Sequence, residues 1–213
     1  MYTLYYSPGS CSLIINCLME ELAVPFDARK VDFAAKEHHG AEYRKLNPKG
    51  KVPALVTPEG PLTECLALIE YLCDRHDPDH RMLPAPGTWQ RARAMERLAT
   101  LATEIHNNLA SRFFHADAVS DDAAVQAAVK ASGAANLTEF FRAEDARLTG
   151  EYWSGGKEPD VSDLYFMVVA RWGRWLEESA LKMKNIERFF RHMTARPAVA
   201  RAMEREGIKP FGT

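Results

Sequence analysis

The sequence has no run approaching the ~18 consecutive apolar residues that a membrane-spanning helix requires. Its first residues, MYTLYYSPGSC, lack a basic segment followed by an apolar one, so no secretory leader is expected. It also lacks an excess of either charge: 27 Lys and Arg oppose 29 Asp and Glu, for a net charge of -2. Residues 1–77 carry 8 basic and 11 acidic side chains and the remainder 19 and 18. Neither part is a basic module for nucleic acid or anionic lipid. Cysteine is scarce. The four, at positions 11, 17, 65 and 73, are separated by six, forty-eight and eight residues, which matches neither a zinc site nor a CxxC redox pair. No metal is expected, and reduced thiols in a cytoplasmic protein are the simplest reading. Internal repeats and low-complexity tracts are absent.

What is present suits a globular protein. The 213 residues are 46% hydrophobic and 26% charged, enough for a substantial core. YTLYY (2–6) favours a strand and runs into a Ser-Pro-Gly-Ser turn, after which Leu13, Ile14, Cys17 and Leu18 fall on one helix face. Pro25 ends that helix, FDARKVDF alternates as a second strand, and residues 36–46 read as a polar loop with a short helix. VPALV and Pro61-Leu62-Thr63 form facing strands around a Pro58-Glu59-Gly60 turn, followed by a helix over 64–74. The predicted order is βαβαββα, a compact α/β domain over residues 1–77. Three prolines and many charges mark the stretch that follows, and the linker is placed at 78–88.

From 89 to 213 no convincing strand occurs, which predicts an all-α bundle domain. Met95, Leu98, Ala102, Ile105 and Leu109 form the stripe of one long helix, and residues 121–149 a second. A third begins at Asp160, with Asp163 completing a capping box and Tyr165, Val168, Val169 and Trp172 on one stripe. Two short helices follow near 185–194 and 197–206, with Pro197 in the first turn of the last.

Cys11 is the foremost chemical candidate. It lies at a helix N-terminus, where unpaired N–H groups and the positive end of the dipole favour a thiolate, its own or a substrate's. Cys17 and Cys73 lie on apolar faces and read as small hydrophobes. Val52-Pro53, if cis, would leave the Val52 N–H and C=O to pair with an extended peptide-like ligand; an ordinary strand-initiating proline reads the same in sequence. Glu64 and Cys65 open a helix whose N–H groups can hold a carboxylate, while Glu64 can accept from an ammonium group or simply complement the dipole. His106 shares a predicted helix face with Ala99 and Phe113, beside the apolar stripe, where a core role competes with a catalytic one.

These segments resemble the glutathione transferase family, its bacterial beta class in particular, over nearly the whole chain. YYSPGSCSL (5–13) is similar to the beta-class cysteine signature, NPKGKVPAL (47–55) to the cis-proline segment, and TECLALIEYL (63–72) to the glutamate-containing helix start. VSDLY (161–165) resembles the helical domain's capping box, and RPAVARAMEREGI (196–208) its C-terminal helix. The resemblance implies a thioredoxin-like N-terminal domain, glutathione as co-substrate, no metal and a homodimer. It implies that Cys11 contacts the glutathione sulfur, that Val52 before Pro53 pairs with the cysteinyl unit, that Glu64 and Cys65 hold the γ-glutamyl end, and that Lys36 binds the glycine carboxylate. His106 within EIH (104–106) matches a histidine near that sulfur, and Tyr165 and Trp172 match aromatic positions of the cleft. Phe113 joins Trp172 as a candidate wall of the second-substrate pocket. The chain departs from the pattern at Cys65, where serine is usual, and at Ala99 and Asn107.

Three functions fit. The first is conjugation of the glutathione thiolate to small, hydrophobic electrophiles. The second is disulfide or peroxide reduction through a Cys11 mixed disulfide. The third, a non-enzymatic binding module, is disfavoured because the thiol-site residues are retained.

Overall fold

Alternation along β1 (Tyr2–Tyr6) turns Tyr2, Leu4 and Tyr6 inward, the period-2 pattern of a strand with one well-buried face. The computed structural model describes residues 1–211. β1 pairs in parallel with β2 (Phe26–Lys30) and antiparallel with β3 (Ala54–Thr57), which pairs antiparallel with β4 (Gly60–Thr63). The sheet order is β2-β1-β3-β4, a mixed four-stranded sheet. The parallel pair needs a crossover, supplied by α1 (Ser12–Glu21). A short helix, α2 (Ala41–Leu46), precedes β3, and α3 (Cys65–His76) follows β4. This is the predicted βαβαββα order of a thioredoxin-like unit.

The chain forms two compact units, Met1–Thr88 joined by Thr194 onward, and Trp89–Met193. In the first, α9 (Pro197–Glu206) returns to pack on α1, bringing Ala198, Val199, Ala202 and Met203 into the core. This explains a departure from the predicted amphipathic α1. Every residue from Ser12 to Met19 is buried, because α3, β1 and α9 together cover the helix on its polar flank as well. Pro197 occupies the first turn of α9, and Gly207, with φ of 66°, closes it in the left-handed conformation that glycine tolerates.

The second unit is helical among its described residues: α4 (Trp89–Thr100), a π-helical segment (Leu101–Ala110), α5 (Ser111–Phe114), α6 (Ala123–Arg147), α7 (Val161–Trp172) and α8 (Lys184–Thr194, whose final residue belongs to the first unit). The long first helix does not keep the predicted stripe. Its buried residues are Arg91, Ala94, Leu98, Leu101, Ala102, Ile105 and Ala110, and Met95 and Leu109 are only half-buried. Leu101–Ala110 is wound with i→i+5 bonds, which puts more residues in each turn and shifts the phase of the buried face. Asp160 caps α7 and Asp163 completes its capping box: the Asp160 carboxylate accepts from Ser162 N at 2.7 Å and Asp163 Oδ2 from Asp160 N at 2.9 Å. α7 is buried on all sides through Arg171, so it forms the centre of this unit. No helix among the described residues is long and apolar enough to cross a membrane.

Candidate functional site

The turn that delivers Cys11 is knitted by its own serines. Ser10 N donates to Ser7 O at 3.1 Å, Ser12 Oγ donates to Ser7 O at 3.2 Å, and the Ser10 and Ser12 hydroxyls meet at 2.8 Å. Gly9 takes φ of 70°, which permits the reversal between β1 and α1. Cys11 is the N-cap residue of α1, but its side chain does not cap the helix. Ser12 N turns to Ser10 Oγ, Leu13 N to Ser10 O and Ile14 N to Cys11 O. The first-turn amides expected to meet a thiolate are thus engaged inside the turn. The helix end acts on sulfur through its field rather than by direct N–H contact.

The Cys11 thiol instead donates to Val52 O at 3.4 Å. The Val52-Pro53 peptide is cis, and both residues are buried. Its approach is held by the preceding residue: Lys51 O accepts from Tyr43 Oη and from Asn47 Nδ2, each at 2.6 Å. Tyr43, Val31, Val52 and Ala54 form a small core with Tyr5 against it. Burial, then the neighbouring Tyr5, push the Tyr43 hydroxyl up to about 12, so it remains a neutral donor. From the other side comes Cys65, the first residue of α3, its Sγ 3.9 Å from Cys11 O. Cys11, Val52-Pro53 and Cys65 therefore meet at one point of the first unit.

Glu64 and Lys36 stand at the margins. Glu64 has φ of 73°, outside the normal range for a side-chain-bearing residue, and directs an exposed carboxylate to Lys49 Nζ at 2.5 Å. Lys49 also reaches Thr63 Oγ1 at 3.1 Å. Sequence reasoning missed this lysine, although its place in NPKGK beside the proline segment put it near the site. Lys36 also adopts a left-handed backbone, at φ of 56°, and is exposed ahead of a short 3-10 turn. Among the described residues, no carboxylate lies within ion-pair distance of its ammonium group.

Two further residues hold the turn. Glu206 of α9 accepts from Gly9 N at 2.8 Å and from Asn16 Nδ2 at 3.1 Å, and Arg205 Nη1 donates to Asn16 Oδ1 at 2.6 Å. Glu206 and Asn16 are both buried. Asn16 carried the one legible signal, an amide inside the apolar run LIINCL, where a buried polar group demands a partner.

In the helical unit, three of the four predicted residues come together. His106 Nδ1 lies 3.0 Å from Tyr165 Oη, and the His106 ring packs on Trp172 with centroids 4.9 Å apart. Phe113 is placed elsewhere, edge-on to Phe114 at 4.8 Å and beneath Lys130 Nζ at 5.6 Å. The shared face predicted for Ala99, His106 and Phe113 assumed 3.6-residue winding, which the π-helical segment interrupts. Among the described residues no group of three His, Cys, Asp or Glu side chains is arranged to hold a metal.

Residues 1–74 match the family of glutathione S-transferase N-terminal domains. The whole chain is similar to Glutathione S-transferase GstA of Escherichia coli O157:H7, with 31% identity over 97% of this chain and 99% of that protein. Among solved structures, it resembles the bacterial beta-class glutathione S-transferase of Sphingomonas chungbukensis, with a TM-score of 0.83 and 30% identity over 97% of this chain and 100% of that one. It also resembles a glutathione transferase homologue from Sulfitobacter with bound glutathione, with a TM-score of 0.85 and 27% identity over 98% and 99% of the two chains.

Proposed function

The chain belongs to the glutathione S-transferase family, and from that premise we propose that it is a glutathione transferase joining the glutathione sulfur to small electrophiles. The observation that carries this reading is the convergence of the Cys11 thiol, the cis Val52-Pro53 peptide and the start of α3. Val52 offers backbone polar groups to an extended peptide. Its carbonyl accepts a long bond from a thiol, a weak donor that a peptide N–H can replace. The Glu64 carboxylate suits the ammonium of a γ-glutamyl group. Its pair with Lys49 is solvent-exposed and worth about 0–1 kcal/mol, so a ligand ammonium can displace it. Lys36 suits the glycine carboxylate.

In conjugation the glutathione thiol loses its proton, its sulfur attacks an electrophilic carbon, and a carbon–sulfur bond forms. Cys11 would favour the thiolate as a hydrogen-bond donor to it, aided by the field of α1. In the helical unit, the half-buried His106 and Trp172 offer aromatic surface with one imidazole, backed by the buried Tyr165, which suits hydrophobic electrophiles. The contact between Cys11 and Cys65 favours a second reading, disulfide reduction through Cys11.

Retention on immobilised glutathione and conjugation to an aryl halide test the proposal together. Wild type should do both, and Cys11→Ala should lower conjugation by about tenfold or more. A wild-type protein that neither binds glutathione nor conjugates it would refute the assignment.

A further inference from the structure

Cys65 is the first residue of α3, and its thiol lies 3.9 Å from the Cys11 carbonyl oxygen. The Cys11 side chain is also the foremost influence on the Cys65 thiol. Both are nearly enclosed, with 9% of Cys11 and 8% of Cys65 exposed. The pair is brought together by tertiary structure, since 54 residues separate the two in sequence. Neither of the other cysteines shares this arrangement. Cys17 is fully enclosed on α1, its thiol pushed well up by burial and then by Glu206, Glu21 and Glu20. Cys73 lies two turns further along α3.

We propose that Cys65 is a resolving thiol, which attacks a mixed disulfide between Cys11 and glutathione and closes a Cys11–Cys65 disulfide. The inference rests on glutathione reaching Cys11, as the proposed function requires. Glutathione disulfide, or another mixed disulfide of glutathione, is the oxidant. Cys11 thiolate attacks one of its sulfurs, a Cys11–glutathione bond forms, and the other half leaves as a thiolate that takes up a proton. Cys65 then loses its proton and its sulfur attacks Cys11 Sγ. The Cys11–Cys65 bond forms, the bond to glutathione breaks, and the leaving glutathione thiolate is protonated. Two protein thiols are oxidised and one external disulfide is reduced; two further glutathione molecules return the pair to thiols.

The environment orders these steps. The hydrogen bond with Cys11, then burial, hold the Cys65 thiol well above its ordinary value, and charge on Cys11 adds to the effect. Cys65 therefore stays protonated while Cys11 is uncapped. Capping Cys11 in a mixed disulfide removes that charge and eases ionisation of Cys65 at the point where it is needed.

Intact-mass analysis of the reduced full chain after exposure to glutathione disulfide tests this, with glutathione-affinity retention measured alongside. Wild type should end lighter by two hydrogens, with a Cys11–Cys65 crosslinked peptide in a non-reducing digest. Cys65→Ser and Cys65→Ala should keep one glutathione on Cys11, and the wild-type adduct should decay at least about tenfold faster than theirs. Cys17→Ala and Cys73→Ala should behave as wild type. A wild-type adduct as long-lived as that of Cys65→Ser, with Cys65 still open to alkylation, would overturn the inference. So would the absence of both adduct and crosslink. If glutathione binding is retained in either case, the transferase reading stands and only the resolving role falls; if binding is lost, both fall.

Discussion

Asn16 and Glu206 determine how firmly the Cys11 turn is held. Each is a polar group inside a core, tolerable only because its bonds are made: Glu206 takes the Gly9 and Asn16 donors, and Asn16 takes one from Arg205. Glu206→Gln keeps shape and size but sets an amide N–H against the Gly9 or the Asn16 donor. Loss of one such buried bond costs about 1–3 kcal/mol. Chemical denaturation should therefore give an unfolding free energy lower by about that amount. Because Gly9 lies two residues before Cys11, the KM for glutathione should rise as well. A variant with unchanged stability and KM would remove Glu206 from this role. By contrast, pairs such as Lys45–Glu42 lie in solvent and contribute little.

At the scale of the element, the start of α7 carries the clearest pH dependence. Asp163 is buried and closes the capping box while also accepting from Ser154 N at 3.0 Å. Burial, then the nearby Asp160 charge, push its carboxyl up to about 6 from an ordinary 3.8, and the N–H donors offset only part of this. The folded state therefore keeps a proton that the unfolded chain has already released. The stability this group contributes is complete below 3.8 and is lost as pH rises through about 6. In Asp163→Asn that titration is gone. The stability of wild type relative to this variant should fall by up to about 3 kcal/mol between about pH 4 and pH 7. Parallel denaturation curves across that range check it, and a difference independent of pH would contradict it. Arg97 Nη2 holds Asp160 Oδ2 at 2.5 Å, so the second carboxylate of the box is paired.

At the scale of the molecule, the first unit is discontinuous in sequence, because α9 supplies part of its core. Arg196 binds Glu21 through two bonds of 2.7 and 2.9 Å, and Arg201 reaches Glu20 at 2.6 Å, beside the apolar contacts of Val199 and Met203. Two such side chains are worth about 1.5–3 kcal/mol each when fully buried, against a typical domain stability of about 5–15 kcal/mol. A chain truncated before Pro197 should lose retention on glutathione and the cooperative unfolding of this unit. Adding a peptide of residues 194–213 should restore part of both. Full retention by the truncated chain would show that α9 is dispensable.

Local order was readable from local pattern. YTLYY before Ser-Pro-Gly-Ser, the Asp160 and Asp163 capping pair and Pro197 opening α9 each act through neighbours a few residues away, so sequence alone placed them, whereas α1 ends at Glu21, ahead of Pro25, on a left-handed Ala23. Val52-Pro53 was legible as a candidate cis peptide, but the alternative, an ordinary strand-opening proline, is identical in sequence; the packed environment selects the isomer. The all-round burial of α1 was hidden because α9 arrives from 176 positions later. The helix phase around His106 was misread because π winding alters the repeat that periodicity assumes, leaving Phe113 apart from Tyr165 and Trp172. The Cys11–Cys65 contact leaves no trace in spacing, since their distance depends on how α1 and α3 meet across the end of the sheet. Sequence by itself determined the elements, their order and the thiol at the start of α1, all products of short-range sterics and hydrophobic period. Tertiary structure alone decided what surrounds that thiol, because each of its partners comes from a distant part of the chain.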